Sequence, residues 1–102
     1  MLQAERKMNI DNIKSVYFVG AGGIGMSALI RYFLSKGKKV AGYDKTPSDL
    51  TEQLNREGAD IHYEDNIDLI PGVYKNTDDT LVVYTPAIPA THSELRYFQT
   101  QG

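Results

Sequence analysis

The chain contains no cysteine, which rules out a disulfide framework, thiolate zinc sites and a thiol nucleophile, and agrees with a reducing compartment. It has no excess of one charge either: 11 Lys and Arg stand against 13 Asp and Glu, a formal net charge of -2. The cations are scattered, so there is no basic stripe for nucleic acid and no cationic amphipathic segment for a membrane surface. Long apolar runs are also missing. The opening "MLQAERKMNIDNIK" is broken by Glu5, Arg6, Lys7 and Asp11, so it lacks the apolar stretch of a signal peptide, and nothing approaches the roughly 20 apolar residues of a membrane span. No internal repeat or low-complexity tract is visible. These absences predict a cytoplasmic chain with neither nucleic acid nor membrane as partner.

What is present suits one small domain. With 102 residues and 41% hydrophobic content, the chain can bury a single core. Residues 14–20, "KSVYFVG", are β-branched and aromatic without polar alternation, as a strand covered on both faces requires. From Gly25 the period changes. Met26, Leu29, Ile30, Phe33 and Leu34 make one helical stripe, and Gly37 stands where a left-handed residue would end it. A second strand is expected over residues 38–44, then a helix with Thr46 as N-cap and Pro47 in its first position, running to about Arg56 and closed by Gly58. Residues 59–63 and 81–85 read as further strands, residues 66–70 as one helical turn before Pro71-Gly72, and "THSELRYFQTQ" as a final helix. The order β-α-β-α-β-(α)-β-α predicts an α/β fold: a Rossmann-like, doubly wound parallel sheet in three α/β/α layers over residues 14–102, with residues 1–13 as a flexible extension. Such a sheet would normally receive another strand after the last helix, so the chain is expected to be one domain of a longer protein.

The segment "VYFVGAGGIGMSALIRYFL" puts four glycines where the first strand meets the first helix. Gly20, Gly22 and Gly25 fit G-x-G-x-x-G in the strand-to-helix context that gives the pattern meaning. Gly20 would permit the tight turn, Gly22 the approach of a phosphate, and Gly25 close packing of helix on strand. The N–H groups of residues 23–27 and the helix dipole would face the anion. The loop lacks the Lys-Ser/Thr ending of a P-loop, which disfavours γ-phosphate chemistry here. Asp44 ends the second strand about 20 residues past the loop, where an acid can accept hydrogen bonds from a ribose. Together these features specify a nucleoside diphosphate moiety and leave its identity open.

The wording of the loop goes further than its spacing. "FVGAGGIGMSAL", residues 18–29, resembles the opening G-x-G-G-x-G-M-S motif of the Mur ligase family, in particular of its L-alanine-adding members. "VAGYDKTPSDLTEQLNREGADI", residues 40–61, and "LVVYTPAIPATHSEL", residues 81–95, are similar to later segments of that family in order and spacing. The resemblance implies an ATP-dependent ligase of peptidoglycan synthesis, with a first domain that holds the UDP part of UDP-N-acetylmuramic acid. ATP and magnesium, and then L-alanine, would be engaged by central and C-terminal domains absent from this chain, so no cofactor or metal is expected within it. It implies that Gly20, Ala21, Gly22, Gly23, Ile24, Gly25, Met26 and Ser27 lie along the diphosphate and Asp44 near the uridine ribose. Thr85, Pro86, Ala87 and Ile88 would wall the nucleotide.

The chain departs from the family at two places. Its Ser-Ser-Ala-Ile segment reads Thr85-Pro86-Ala87-Ile88, losing a hydroxyl and an N–H at the second position, and its Gly-His pair after the third strand reads Glu64-Asp65. No ligand-binding histidine is therefore assigned to His62, which reads as structural or surface, and His92 reads as a capping or surface residue. Tyr17, Tyr43 and Tyr84 in strands and Tyr32 and Tyr97 in helices read as core packing. Asp78-Asp79 and Glu64-Asp65 read as solvated loops. Two other functions stay open: the NAD-binding half of a dehydrogenase, for which Asp44 speaks, and a nucleotide-sensing regulatory module.

Overall fold

A computed structural model describes residues 12–76 and 78–101. Four strands, β1 (Ser15–Val19), β2 (Lys39–Tyr43), β3 (Asp60–His62) and β4 (Thr80–Tyr84), form one sheet in the order β3-β2-β1-β4. All neighbours pair in parallel. Helices α1 (Ile24–Ser35), α2 (Asp49–Glu57) and α3 (Ser93–Gln101) connect or follow them, and two 3-10 turns, Ile67–Leu69 and Gly72–Lys75, lie between β3 and β4.

The apolar run of β1 is buried along its whole length, and alternate residues feed two cores. Val16 and Phe18 pack with Ile30 and Phe33 of α1 and Leu54 of α2. Tyr17 and Val19 pack with Ile70, Tyr74 and, from α3, Leu95 and Phe98. Helical layers therefore cover both faces, as the sequence predicts. The packed unit begins earlier than expected, because Ile13 is 3% exposed and belongs to the first core. The remainder of the expected extension, residues 1–11, lies outside the described residues.

The register sets up the functional edge. Val19 pairs with Tyr43 on one side and with Tyr84 on the other, so Gly20, Asp44 and Thr85 follow three strand ends at one level. Between β1 and β4 the strand order reverses, and open α/β sheets bind ligands beyond the strand carboxyl ends at such a switch point.

Several local expectations are corrected. The N-cap of α2 is Ser48, not Thr46: Thr51 N–H donates to Ser48 Oγ at 3.1 Å and Ser48 N–H to Thr51 Oγ1 at 2.9 Å, a reciprocal capping box that outcompetes the Thr-Pro start. Pro47 also biases Thr46 toward extended backbone. A second 3-10 turn, to which the sequence reading assigned no element, follows Pro71. Tyr32 is 46% exposed on α1, with the Lys36 ammonium 5.6 Å from its ring centroid, so it is not a core residue. Asp65 is more than a solvated loop acid, since its carboxylate accepts the N–H groups of Ser93 and Glu94 at 2.9 and 3.1 Å and caps α3.

A candidate nucleotide crevice at the strand ends

The turn after β1 is built as its glycines demand. Gly20 has φ +94°, and a Cβ there would meet Thr85 Cγ2 at 2.6 Å. Its N–H and that of Ala21 both donate to the Tyr43 carbonyl, at 2.7 and 2.9 Å, which ties the turn to the end of β2. Beside Gly22, the space a side chain would fill is taken by the Asp44 carboxylate, whose Oδ1 accepts the Gly22 N–H at 2.9 Å. The other oxygen accepts the Thr46 N–H at 3.1 Å. Asp44 therefore braces the glycine loop, a role that sequence reasoning did not give it.

The N-terminus of α1 contrasts with that of α2. Asp49 and Glu52 stand in the first turn of α2 behind its capping box, whereas α1 starts at Gly23 with no side-chain cap and no acid in its first turn. Its first-turn amides thus have no acid in their own turn, and the Asp44 carboxylate beside them is engaged by the Gly22 and Thr46 N–H groups. The available set is narrower than the sequence suggests. Gly22 N–H belongs to Asp44, and Ser27 N–H bonds the Gly23 carbonyl at 2.9 Å. Gly23 to Met26 remain. A Cβ on Gly25 would meet nothing within 4 Å, so Gly25 does not serve close packing of helix on strand.

These parts face one crevice of about 580 Å³. The glycine turn and α1 contribute Gly20, Gly23 and Met26, the end of β2 contributes Tyr43, Asp44 and Lys45, and the segment after β4 contributes Thr85, Ala87, Ile88 and Pro89, with His92 behind them. The other expected residues fall elsewhere. Ala21 is buried in the first core, and Ser27 is buried with its hydroxyl donating to the Ile24 carbonyl at 2.7 Å. Ile24 is 86% exposed and does not line the crevice. Pro86 is exposed on a turn in which the Ile88 N–H donates to the Thr85 carbonyl at 3.1 Å. Pro fits the second position of such a turn because its φ is preset. Thr85 Oγ1 accepts the Ala87 N–H at 3.3 Å, so the retained hydroxyl shapes the same turn.

Sequence reasoning missed Tyr43, Lys45 and Pro89 as lining residues, and gave His92 a capping or surface place. His92 does cap: its Nδ1 accepts the Leu95 N–H at 3.4 Å. It is also buried at 7% exposure and forms part of the wall. Burial, with the carboxylates of Asp65, Glu94 and Asp44 nearby, pushes the Tyr43 phenol above its usual range, so the crevice wall is neutral there. Lys45 is the cation of the lining among the described residues.

Below the crevice lies a polar cluster that no motif announced. Glu94, fully buried, accepts the Tyr17 hydroxyl on Oε1 at 2.6 Å and the Asn66 N–H on Oε2 at 3.0 Å, with His62 Nε2 2.6 Å from the same Oε2. His62 is accordingly structural.

A parallel sheet with a glycine turn, an uncapped helix start and a crevice at the switch point defines a Rossmann-like α/β domain. The model of the Mur ligase family, catalytic domain, matches residues 15–102, and the chain belongs to this family. It is 70% identical over 95 residues to a UDP-N-acetylmuramate--L-alanine ligase of Parabacteroides distasonis, a match covering 93% of this chain and 21% of that protein. A protein of the same name from Phocaeicola vulgatus is 63% identical over 95 residues, again covering 93% of this chain and 21% of the relative. The crystal structure of UDP-N-acetylmuramate-alanine ligase from Thermotoga maritima superposes with a TM-score of 0.69 at 27% identity, over 85% of this chain and 19% of that one. The chain thus spans about a fifth of the length of the relatives it matches.

Proposed function

We propose that this chain is the N-terminal, UDP-N-acetylmuramate-binding domain of a cytoplasmic, ATP-dependent ligase that adds L-alanine to that sugar nucleotide in peptidoglycan synthesis. The carrying observation is the convergence of Gly20, Asp44 and Thr85 at one level beside the uncapped start of α1. The free amides of Gly23 to Met26 suit a diphosphate, Lys45 adds a positive charge, and the apolar wall from Ala87 to Pro89 suits a nucleoside. The relatives' names supply the sugar and the amino acid.

Catalysis belongs to the remainder of the protein. The loop has no Lys-Ser/Thr ending, and the described residues include no group of three or more His, Asp or Glu placed to hold a metal ion. The family resemblance assigns ATP, magnesium and L-alanine to further domains, in keeping with a chain that spans about a fifth of its relatives' length.

A chemical-shift titration of the labelled chain with UDP-N-acetylmuramate, UDP and NAD in parallel tests the reading. The expected result is saturable shifts at Gly23 to Met26 and at Thr85, Ala87 and Ile88 with both uridine ligands and none with NAD. A response to NAD alone would assign the loop to the dehydrogenases. With ATP and L-alanine added, the chain should release no ADP.

A further inference from the structure

His92 carries more than a cap requires. Its Nδ1 lies 3.4 Å from the Leu95 amide that donates to it and 3.3 Å from Asp65 Oδ1, so one edge of the ring is held by the start of α3 and the loop after β3. The Tyr43 ring meets it edge-on with centroids 4.5 Å apart. The opposite nitrogen, Nε2, is buried and has no hydrogen-bond partner, although the residue as a whole is 7% exposed and lines the crevice. Buried polar atoms are rarely left unpaired, and one on a residue that lines a ligand-sized crevice has an evident place to find its partner. A ring whose Nδ1 accepts the Leu95 N–H carries its proton on Nε2, and a ring charged beside Asp65 carries one there as well, so Nε2 is a donor in both states.

We propose that His92 is a ligand-contacting specificity residue, donating from Nε2 to the nucleoside portion of the bound nucleoside diphosphate. This inference rests on the nucleotide-domain reading above. The position of the histidine decides which part of the ligand it meets. Helix α1, which offers the amides for the diphosphate, packs on one face of the sheet, while α3 and its preceding His92 pack on the other with Tyr43. A ligand whose diphosphate rests on Gly23 to Met26 presents His92 with the part that lies beyond it. There the flat walls are Tyr43, Ile88 and Pro89, with the Asp44 carboxylate alongside. Rings and hydroxyls suit that surrounding; a second phosphate beside Asp44 does not.

The chain has two histidines, and His62, whose Nε2 is engaged by Glu94, serves as an internal control. Long-range 1H–15N spectra of the imidazoles are recorded while UDP or inorganic pyrophosphate is added. UDP is expected to shift His92 Nε2 together with the amides of Gly23 to Met26, pyrophosphate the amides alone, and neither ligand His62. His92→Asn separates the two roles, because an Asn oxygen can still accept the Leu95 N–H while nothing replaces Nε2. That variant should bind UDP about tenfold more weakly, the loss expected for one hydrogen bond, with pyrophosphate affinity unchanged. Amides that respond to UDP while His92 stays silent would overturn the inference and leave the domain reading intact. Shifts of His92 only with the complete UDP-N-acetylmuramate would move its contact to the sugar and overturn it too. If UDP moves neither, both fall.

Discussion

Gly25 and Gly20 belong to one sequence pattern yet do different physical jobs. Gly20 holds φ +94° with Thr85 Cγ2 at 2.6 Å from the position of a Cβ, so an alanine there is strained and clashes. Gly25 lies in α1, has an ordinary φ, and has nothing within 4 Å of a Cβ. No internal contact explains its missing side chain, and under the proposed function the approach of a ligand to the helix start does. Gly25→Ala should therefore raise stability by about 0.5 kcal/mol, since alanine loses less backbone entropy than glycine in a helix. The same change should weaken UDP binding, about tenfold for one misplaced methyl against a phosphate. Thermal melts and a UDP titration of one preparation check both signs. A destabilised variant with normal affinity would return Gly25 to a packing role. Spacing alone could not separate these glycines, because the pattern records where side chains are missing and not what occupies the space. Gly22 makes the same point: the pattern reserves it for phosphate, but the Asp44 carboxylate fills that space.

Strands and helices were legible where burial dictates a period. The run over β1, the stripe along α1 and the stop at Gly37, which has φ +77°, all appear as read. What escaped was set by contacts between distant residues. Asp65 and Ser93 are 28 positions apart and Tyr17 and Glu94 77 apart, so no local window could reveal that α3 is capped by one and anchored through the other. The anchor is substantial. Glu94→Ala removes the carboxylate that accepts the Tyr17 hydroxyl and the Asn66 N–H and faces His62, leaving buried groups unpaired. A cost of about 3 kcal/mol is expected, from at least two stranded polar groups. Urea unfolding should show the midpoint falling sharply with an unchanged slope. A change below about 1 kcal/mol, the size of a lost surface pair, would mean that the cluster is not an anchor.

At the scale of the whole molecule, the second core buries three tyrosines, Tyr17, Tyr43 and Tyr74, with Glu94, Asp65, His62 and His92 bonded or packed beside them, and this composition sets limits in pH. Tyr17 is fully buried, and burial first, then the hydrogen bond to Glu94 and the charge of that carboxylate, pushes its phenol far above the usual range. Burial, helped by Asp60, pushes Tyr74 up to about 12. A raised folded value means that the stabilisation is complete below the unfolded value near 10 and is lost as pH rises through the folded one. Asp65 works in the opposite direction. Burial would raise it, but the amides of Ser93 and Glu94 and the neighbouring His92 outweigh burial and hold the carboxyl below its ordinary range. Its contribution is therefore present above about 3.9 and lost as pH falls through the lower folded value. Urea midpoints measured from pH 3 to pH 11.5 should trace a plateau with an acid and an alkaline limb. Tyr74→Phe should leave the plateau in place and flatten the alkaline limb by on the order of 2 kcal/mol, the weight of a phenol that stays protonated two units longer when folded. Asp65→Asn should flatten the acid limb and also lower the plateau, because one of the two oxygens that accept the Ser93 and Glu94 N–H groups is lost. If the alkaline limb keeps its slope in Tyr74→Phe, that phenol ionises as freely in the folded chain as in the unfolded one, and the second core admits water beside β1.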